Sequence, residues 1–312
     1  MLNAHQLNVF LVAAETLNFT TAARQLRMSQ PSVSQHIQSL EEHFGVLLFN
    51  RAGRSIELSE EGAALVPLAR EMVYLSNRIE EKMASIKDEV IGNLLVGCSS
   101  SCGRYLLPYL ITNYHRFFPK VRATCHITSP SIATDMLFTG KIHLLISPMS
   151  NFSQEIEFRK FFTDEILLIA PLDHPWASLE EICPCELYDA EFILPEEDSD
   201  IYKAVRGALE SKEISILQFK NPITLGSIEA IALSVQEGLG VGFVPRIAVN
   251  KLVSGKVAQI RLKGLAILQD IFVGRYLPRA TTAAQEAFWE FMRDEEQAIL
   301  DKFGLNPIPG VL

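Results

Sequence analysis

Between Thr20 and Arg54 the chain carries a run of residues that few folds can accommodate. It begins Thr20-Thr21-Ala22-Ala23-Arg24-Gln25-Leu26, continues Ser29-Gln30-Pro31-Ser32-Val33-Ser34-Gln35-His36-Ile37 and closes Phe49-Asn50-Arg51-Ala52-Gly53-Arg54. The alanine-rich segment after Asn18 predicts a short helix from about Thr20 to Leu26. Ser29 suits an N-cap, and Pro31 falls in the first turn of the next helix, where its missing N–H costs nothing. Val33, Ile37, Leu40 and Phe44 form an apolar stripe on that helix, ended by Gly45. Upstream, Leu7, Phe10, Leu11 and Ala14 mark the inner side of an earlier helix.

If the second stripe is buried, the step of about 100° per residue turns Pro31, Ser32, Gln35, Gln38 and Glu42 outward. A glutamine amide can bond adenine N6 and N7 together, a contact worth roughly 1–3 kcal/mol of discrimination in a DNA major groove. A polar helix face is more often merely solvated. What favours groove reading is its setting: a tight turn before it, a cap at its start and a hairpin after it. That hairpin is expected to pair Val46–Phe49 with Ser55–Leu58 and to turn at Ala52-Gly53. Arg51 and Arg54 then flank the turn, within reach of phosphates or a narrow minor groove.

The segment Ser29 to Ser34, the Leu40-Glu41 pair, Gly45, Leu48-Phe49-Asn50-Arg51 and Leu58-Ser59-Glu60-Glu61-Gly62 occur in the order found in the LysR-type transcriptional regulators. The chain resembles that family closely here and more loosely over nearly its whole length. The resemblance implies a winged helix-turn-helix, a long linker helix and a C-terminal effector domain of two Rossmann-like α/β lobes, usually assembled as a tetramer. It implies that Gln30, Pro31, Ser34 and Gln35 face DNA and that Arg54 is the wing arginine. Gln35 and Gln38 stand where many relatives carry arginine, so base preference does not transfer with the family.

Residues 1–60 are not basic: Arg24, Arg27, Arg51 and Arg54 stand against Glu15, Glu41, Glu42, Glu57 and Glu60. Phosphate neutralisation supplies much of the affinity for DNA, so a single module should bind weakly and several copies on one dyad-symmetric site should compensate. Most of the chain's net charge of −9 lies beyond this segment. Ser59 should cap a linker helix with Glu60 and Glu61 in its first turn. Leu65, Leu68, Met72, Leu75, Ile79 and Ile86 make a spaced seam suited to pairing two copies, interrupted by Lys82. Pro67 should bend or break that helix.

From Asn93 onward short apolar strands alternate with helices, the signature of a mostly parallel sheet. Strands are expected at Leu94–Gly97, Val121–Ile127, Ile142–Ile146, Ile166–Ile169, Phe192–Leu194, Ile223–Leu225 and Val241–Val244, with helices at Arg104–Phe118 and Ser131–Thr139. The organisation expected is a DNA-binding domain at 1–58, a linker at 59–90 and an effector domain at 91–312. Within the last, lobe 1 spans about 91–163 and 268–303, and lobe 2 about 164–267. Ligands of open α/β sheets bind beyond the carboxyl ends of the strands. That rule selects Ser99, Ser100, Ser101 and Cys102, then Ser129 and Ser131, then Ser147, and in lobe 2 the Glu196–Tyr202 loop, Tyr202 itself and Ser227. Hydroxyls and free N–H groups at helix starts suit an anion, so a small carboxylate or other anion is the expected effector. The same serines would cap helices in any case.

With 48% hydrophobic and 21% charged residues the composition is that of a globular protein. No apolar run is long enough to span a membrane and no signal peptide is visible, so a cytoplasmic chain is expected. Cys98, Cys102, Cys125, Cys183 and Cys185 are an odd set, expected as free thiols. Cys183-Pro184-Cys185 lacks the second pair that a metal site would need. Gly238–Gly242 precedes a strand instead of a helix and so is not a dinucleotide fingerprint, and no catalytic constellation, metal set or cofactor site is visible. The reading is a one-component regulator acting on double-stranded DNA as a homodimer or homotetramer, with a small-molecule effector and RNA polymerase left open as a further partner. Two alternatives stand beside it. One is a redox or electrophile sensor using Cys98 or Cys102; the other is a solute-binding or enzymatic α/β protein with a vestigial DNA module.

Overall fold

Asn3, Asn18 and Ser29 accept backbone N–H groups at the starts of three successive helices, Ala4–Thr16 (α1), Phe19–Leu26 (α2) and Gln30–Phe44 (α3). These belong to the first of two compact units, Met1–Gly92 and Asn93–Leu312. The structure, a computed structural model, describes residues 2–52, 55–85, 89–148, 153–220 and 222–304. Leu7, Phe10, Leu11, Val33, Ile37 and Leu40 are buried together, as their spacing requires. Phe44, read as the end of that stripe, is 38% exposed. It lies in the last turn of α3, where the chain turns at Gly45 (φ 72°) and leaves the core.

The hairpin pairs Phe49–Ala52 (β1) with Ser55–Leu58 (β2), Phe49 opposite Leu58. The expected first strand, Val46–Phe49, is therefore displaced toward the turn. Glu41 causes this: its Oε1 accepts the N–H groups of Leu48 at 2.8 Å and Phe49 at 3.3 Å, fixing the segment before β1 to α3. Leu48 is buried by this tie, while Val46 and Leu47 stay exposed. The Phe49 ring meets Phe10 and Phe19 edge-on. Ser59 caps the long helix Glu60–Ser85 (α4), accepting the Gly62 N–H at 2.9 Å and donating to the Leu47 carbonyl at 2.6 Å. Helix α4 continues through Pro67 without the expected break. Proline removes one N–H, and only the Ala63 carbonyl near the helix start loses its partner. One side of α4 presents Leu65, Ala69 and Val73 to the core. Leu68, Leu75, Ile79 and Met83 are exposed on the other side. Ile86 lies outside the described residues.

The second unit runs β3 (Gly92–Cys98), a π-helical turn at Cys102–Leu106 leading into α5 (Leu107–Phe117), β4 (Val121–Ile127), α6 (Pro130–Phe138) and β5 (Leu144–Pro148). Next come β6 (Ile156–Ala170), β7 (Phe192–Leu194), α7 (Asp200–Glu210), β8 (Ile223–Thr224), α8 (Ile228–Gln236), β9 (Val241–Pro245) and α9 (Arg246–Leu252). The chain ends with β10 (Ala258–Ile260), β11 (Leu268–Tyr276), α10 (Ala283–Asp294) and α11 (Glu296–Phe303). Sheet order is β4-β3-β5-β11-β6-β9-β7-β8, with β10 also on β6. The pairs β3–β5, β7–β8 and β7–β9 are parallel. Strands β6 and β11 pair antiparallel with each other and with their outer neighbours, so the sheet is mixed instead of mostly parallel.

Strand β6 joins the two lobes. Its first part pairs with β11 from Ile156 to Glu165, and its last part pairs with β9 from Ile166 to Ile169. The apolar run Ile166–Ile169 exposed only that last part to sequence reading, because Glu157, Lys160, Asp164 and Glu165 break the pattern before it. Tyr114 of α5 seats α10, its hydroxyl donating to the Ala284 carbonyl at 2.9 Å and its ring meeting Phe288 and Phe291.

Candidate DNA interface and effector cavity

On α3, burial of Val33, Ile37 and Leu40 leaves Gln30, Pro31, Gln35 and Gln38 exposed, with Ser32 and Ser34 half-buried along the flanks. The Gln30 amide donates to Ser34 Oγ at 2.8 Å and the Gln38 amide to Glu42 Oε1 at 2.9 Å. Both donors are thus held one turn along the helix, whereas the Gln35 amide has no partner among the described residues. Arg27 ends α2 in the left-handed region at φ 54° and its N–H bonds back into α2, which makes the turn into Ser29 short. Arg51 lies in β1 with its side chain outside the described set, and Arg54 lies outside the described residues.

The second unit contains a cavity of about 230 Å³ at the carboxyl ends of its strands. Ser99, Ser100, Ser101, Cys102, Ser129 and Ser227 line it. Ser131, Ser147 and Tyr202 do not. Ser131 Oγ pairs with Ser129 Oγ at 3.2 Å on the exposed side of its loop. Ser147 is fully buried, its hydroxyl turned to the Pro148 carbonyl, because β5 is packed on both faces. Tyr202 packs in the lobe 2 core, since the first turn of α7 points Ile201 at the cavity instead.

Sequence reading missed the side chains that set the cavity's charge. Arg104 and Tyr105, on the π-helical turn after β3, both reach Glu229 of α8 in the other lobe, Tyr105 Oη donating at 2.5 Å. Ser227 Oγ also donates to Glu229, at 2.6 Å. Burial pushes the Glu229 carboxyl up, but the bonds from Arg104, Ser227 and Tyr105 outweigh it and hold it at about 2. From the lobe-joining strands come Phe162, Asp164, Gln269 and Ile271. Asp164 is only 4% exposed, and desolvation lifts its carboxyl to about 7 despite an N–H bond from Glu165 at 2.9 Å. The Glu196–Tyr202 loop, expected at the cleft from the sequence, adds Glu196, Asp198 and Asp200. Position and residue type were available in the sequence for all of these; what was missing was which strands face the cleft.

The two thiols beside the cavity loop, Cys98 and Cys102, are poorly placed for reactivity. Cys98 and Cys102 are buried, and desolvation raises both, Cys102 to about 12. Cys125 is free, but Cys183 and Cys185 are bonded to each other, against the expectation of five free thiols. Pro184 between them holds the Cα atoms 5.2 Å apart, within the range a disulfide spans.

A helix-turn-helix with a wing, in one chain with a two-lobed α/β domain that encloses a cavity, defines a ligand-controlled DNA-binding regulator. Residues 4–63 match the bacterial regulatory helix-turn-helix protein, lysR family, and residues 87–297 match the LysR substrate binding domain. The chain therefore belongs to the LysR-type transcriptional regulators. A probable RuBisCO transcriptional regulator of Nostoc sp. is 31% identical over 287 residues, 91% of this chain and 85% of that protein. Its counterpart in Synechocystis sp. is 30% identical over 310 residues, 97% and 87% of the two. Among solved structures, a full-length OxyR variant from Pseudomonas aeruginosa aligns over 95% of each chain with a TM-score of 0.71 at 23% identity. CbnR complexed with its target DNA aligns over 94% of this chain and 99% of its own, with a TM-score of 0.64 at 20% identity. No described helix is long and apolar enough to cross a membrane.

Proposed function

We propose that two copies of α3, paired through two copies of α4, read successive major grooves of an interrupted dyad. The outward amide face of α3 carries this reading: Gln35 stands exposed with no side-chain partner among the described residues, and Gln38 lies one turn along on the same side. Gln30, Pro31, Ser32 and Ser34 then approach the edges of the groove and its sugar–phosphate walls, with Arg51 and Arg54 of the wing on the neighbouring backbone. The exposed Leu68, Leu75 and Ile79 on α4 support pairing, since a free helix would hold such a seam in water. Pairs of dimers give a tetramer, and an occupied cleft alters transcription by favouring one arrangement of the lobes over the other. The complex acts in the cytoplasm, with RNA polymerase as its further contact. The desolvated Cys98 and Cys102 give the thiol-sensor alternative no support.

Fluorescence anisotropy of the purified protein on the DNA upstream of its own gene, beside a scrambled duplex at the same salt, tests this reading. Tight binding to the upstream DNA alone is expected, reduced when Gln35→Ala is introduced. Equal affinity for every genomic fragment tried, with or without Gln35→Ala, would remove sequence-specific recognition by α3.

A further inference from the structure

We infer that the cleft selects a small organic cation, an aliphatic or aromatic amine, instead of the anion its serines suggest. This rests on the reading of the cleft as the effector site and concerns only the ligand's chemistry. Five carboxyl groups face the cavity, from Asp164, Glu196, Asp198, Asp200 and Glu229. Arg104 is the one cation among the described lining residues, and it is already paired with Glu229. An anion would enter a space whose fixed charge repels it, and the apolar walls would focus that repulsion.

On the lobe 2 side the anion-attracting features at the helix starts are also spent, whereas the lobe 1 starts at Ser101 and Ser129 carry no acidic residue in their first turns. Asp200 occupies the first turn of α7 and Glu229 the first turn of α8, so the chain's own carboxylates answer those helix dipoles. Ser227 Oγ donates to Glu229, and Ser199 Oγ accepts the Tyr202 N–H at 3.1 Å. What remains open suits an ammonium group on a hydrocarbon body. Ile201, Ile228 and Ile271 form apolar walls, and Tyr105 and Phe162 are the aromatic residues of the lining. Glu196 leans across to the facing loop, where a Cβ on Gly226 would lie 2.9 Å from its Oε1. At the other end, the buried Asp164 provides a carboxyl shielded from water, whose ionisation an adjacent ammonium would favour.

The test is calorimetric titration of the full-length protein with butylamine, putrescine and cadaverine, against succinate, glutarate and butanediol as partners of similar length. At least one amine is expected to bind more tightly than every diacid and the diol. Asp200→Asn is expected to weaken it by about tenfold or more, the effect of losing roughly one pairing worth 1.4 kcal/mol. Because Asp200 also starts α7, Asp198→Asn with Glu196→Gln, both on an exposed loop, serves as a second variant. Tighter binding of a diacid, no binding by any amine, or amine binding equal in all variants overturns the inference. The last pattern would mean general attraction to an acidic protein. Anisotropy on operator DNA in the same preparations separates the two readings: specific DNA binding with the wrong ligand preference sinks only the cation, whereas loss of specific DNA binding sinks the regulator.

Discussion

Asp164 shows how a single side chain links the cleft to stability. Burial raises its carboxyl from the ordinary 3.8 to about 7, against backbone bonds from Glu165 and Ile247 and the nearby Arg246 of α9, with Cys102 on the facing element. The folded chain therefore keeps a proton that the unfolded chain releases at lower pH. Stability from this group is present below about pH 4 and is lost as pH rises through about 7. Stability should fall across that window by on the order of a few kcal/mol, read as a falling melting temperature, and Asp164→Asn should flatten the fall. A profile as steep in the variant as in the parent would assign the dependence to other groups. Gly62 offers a purely steric counterpart. A Cβ there would lie 2.1 Å from the Leu48 carbonyl oxygen, a backbone atom with no freedom to withdraw. Thermal unfolding of Gly62→Ala should show a loss of roughly 1–3 kcal/mol, the usual cost of overpacking.

Elements carry recognition and pairing. Helix α3 is held by its Ser29 cap, its buried stripe and the Gly45 stop, so its outer face can vary without unfolding it. Gln35→Ala should accordingly leave the melting temperature in place while weakening operator binding by roughly 1–3 kcal/mol. A matching loss on scrambled DNA would assign Gln35 to backbone contact. Helix α4 divides its sides, Leu65, Ala69 and Val73 inward and Leu68, Leu75 and Ile79 outward. Leu75→Glu with Ile79→Glu should convert the assembly to smaller species in sedimentation, with the fold of each chain retained. An unaltered sedimentation coefficient would place the dimer contact elsewhere.

At the scale of the whole molecule, charge is distributed against the simplest expectation for a DNA-binding protein. The net charge is −9, and residues 1–60 hold four arginines against five glutamates. A pair of modules can neutralise few phosphates, so the logarithmic dependence of affinity on salt should be no steeper than about −7. A steeper slope measured by anisotropy would mean that the tetramer's second pair of modules, or basic residues beyond the winged helix, also reach DNA. Affinity must then come from base contacts and from joining several modules, which makes assembly part of recognition.

The sequence by itself determined the winged helix-turn-helix, its caps and the strand-and-helix alternation of the second unit. Those features are local: caps and stripes act over three or four residues, and a buried strand shows as a short apolar run. The loops of the cleft were also legible, because strand ends follow from strands. Tertiary structure alone decided what the cleft contains. Arg104 meets Glu229 across more than a hundred residues of chain, and Asp164 and Gln269 enter from joining strands whose polar residues hid their length. It also decided the start of β1, through the grip of Glu41 on Leu48 and Phe49. The sign of the cleft's charge is a sum over residues brought together only by folding, so serines at helix starts pointed to an anion where the assembled carboxyls favour a cation.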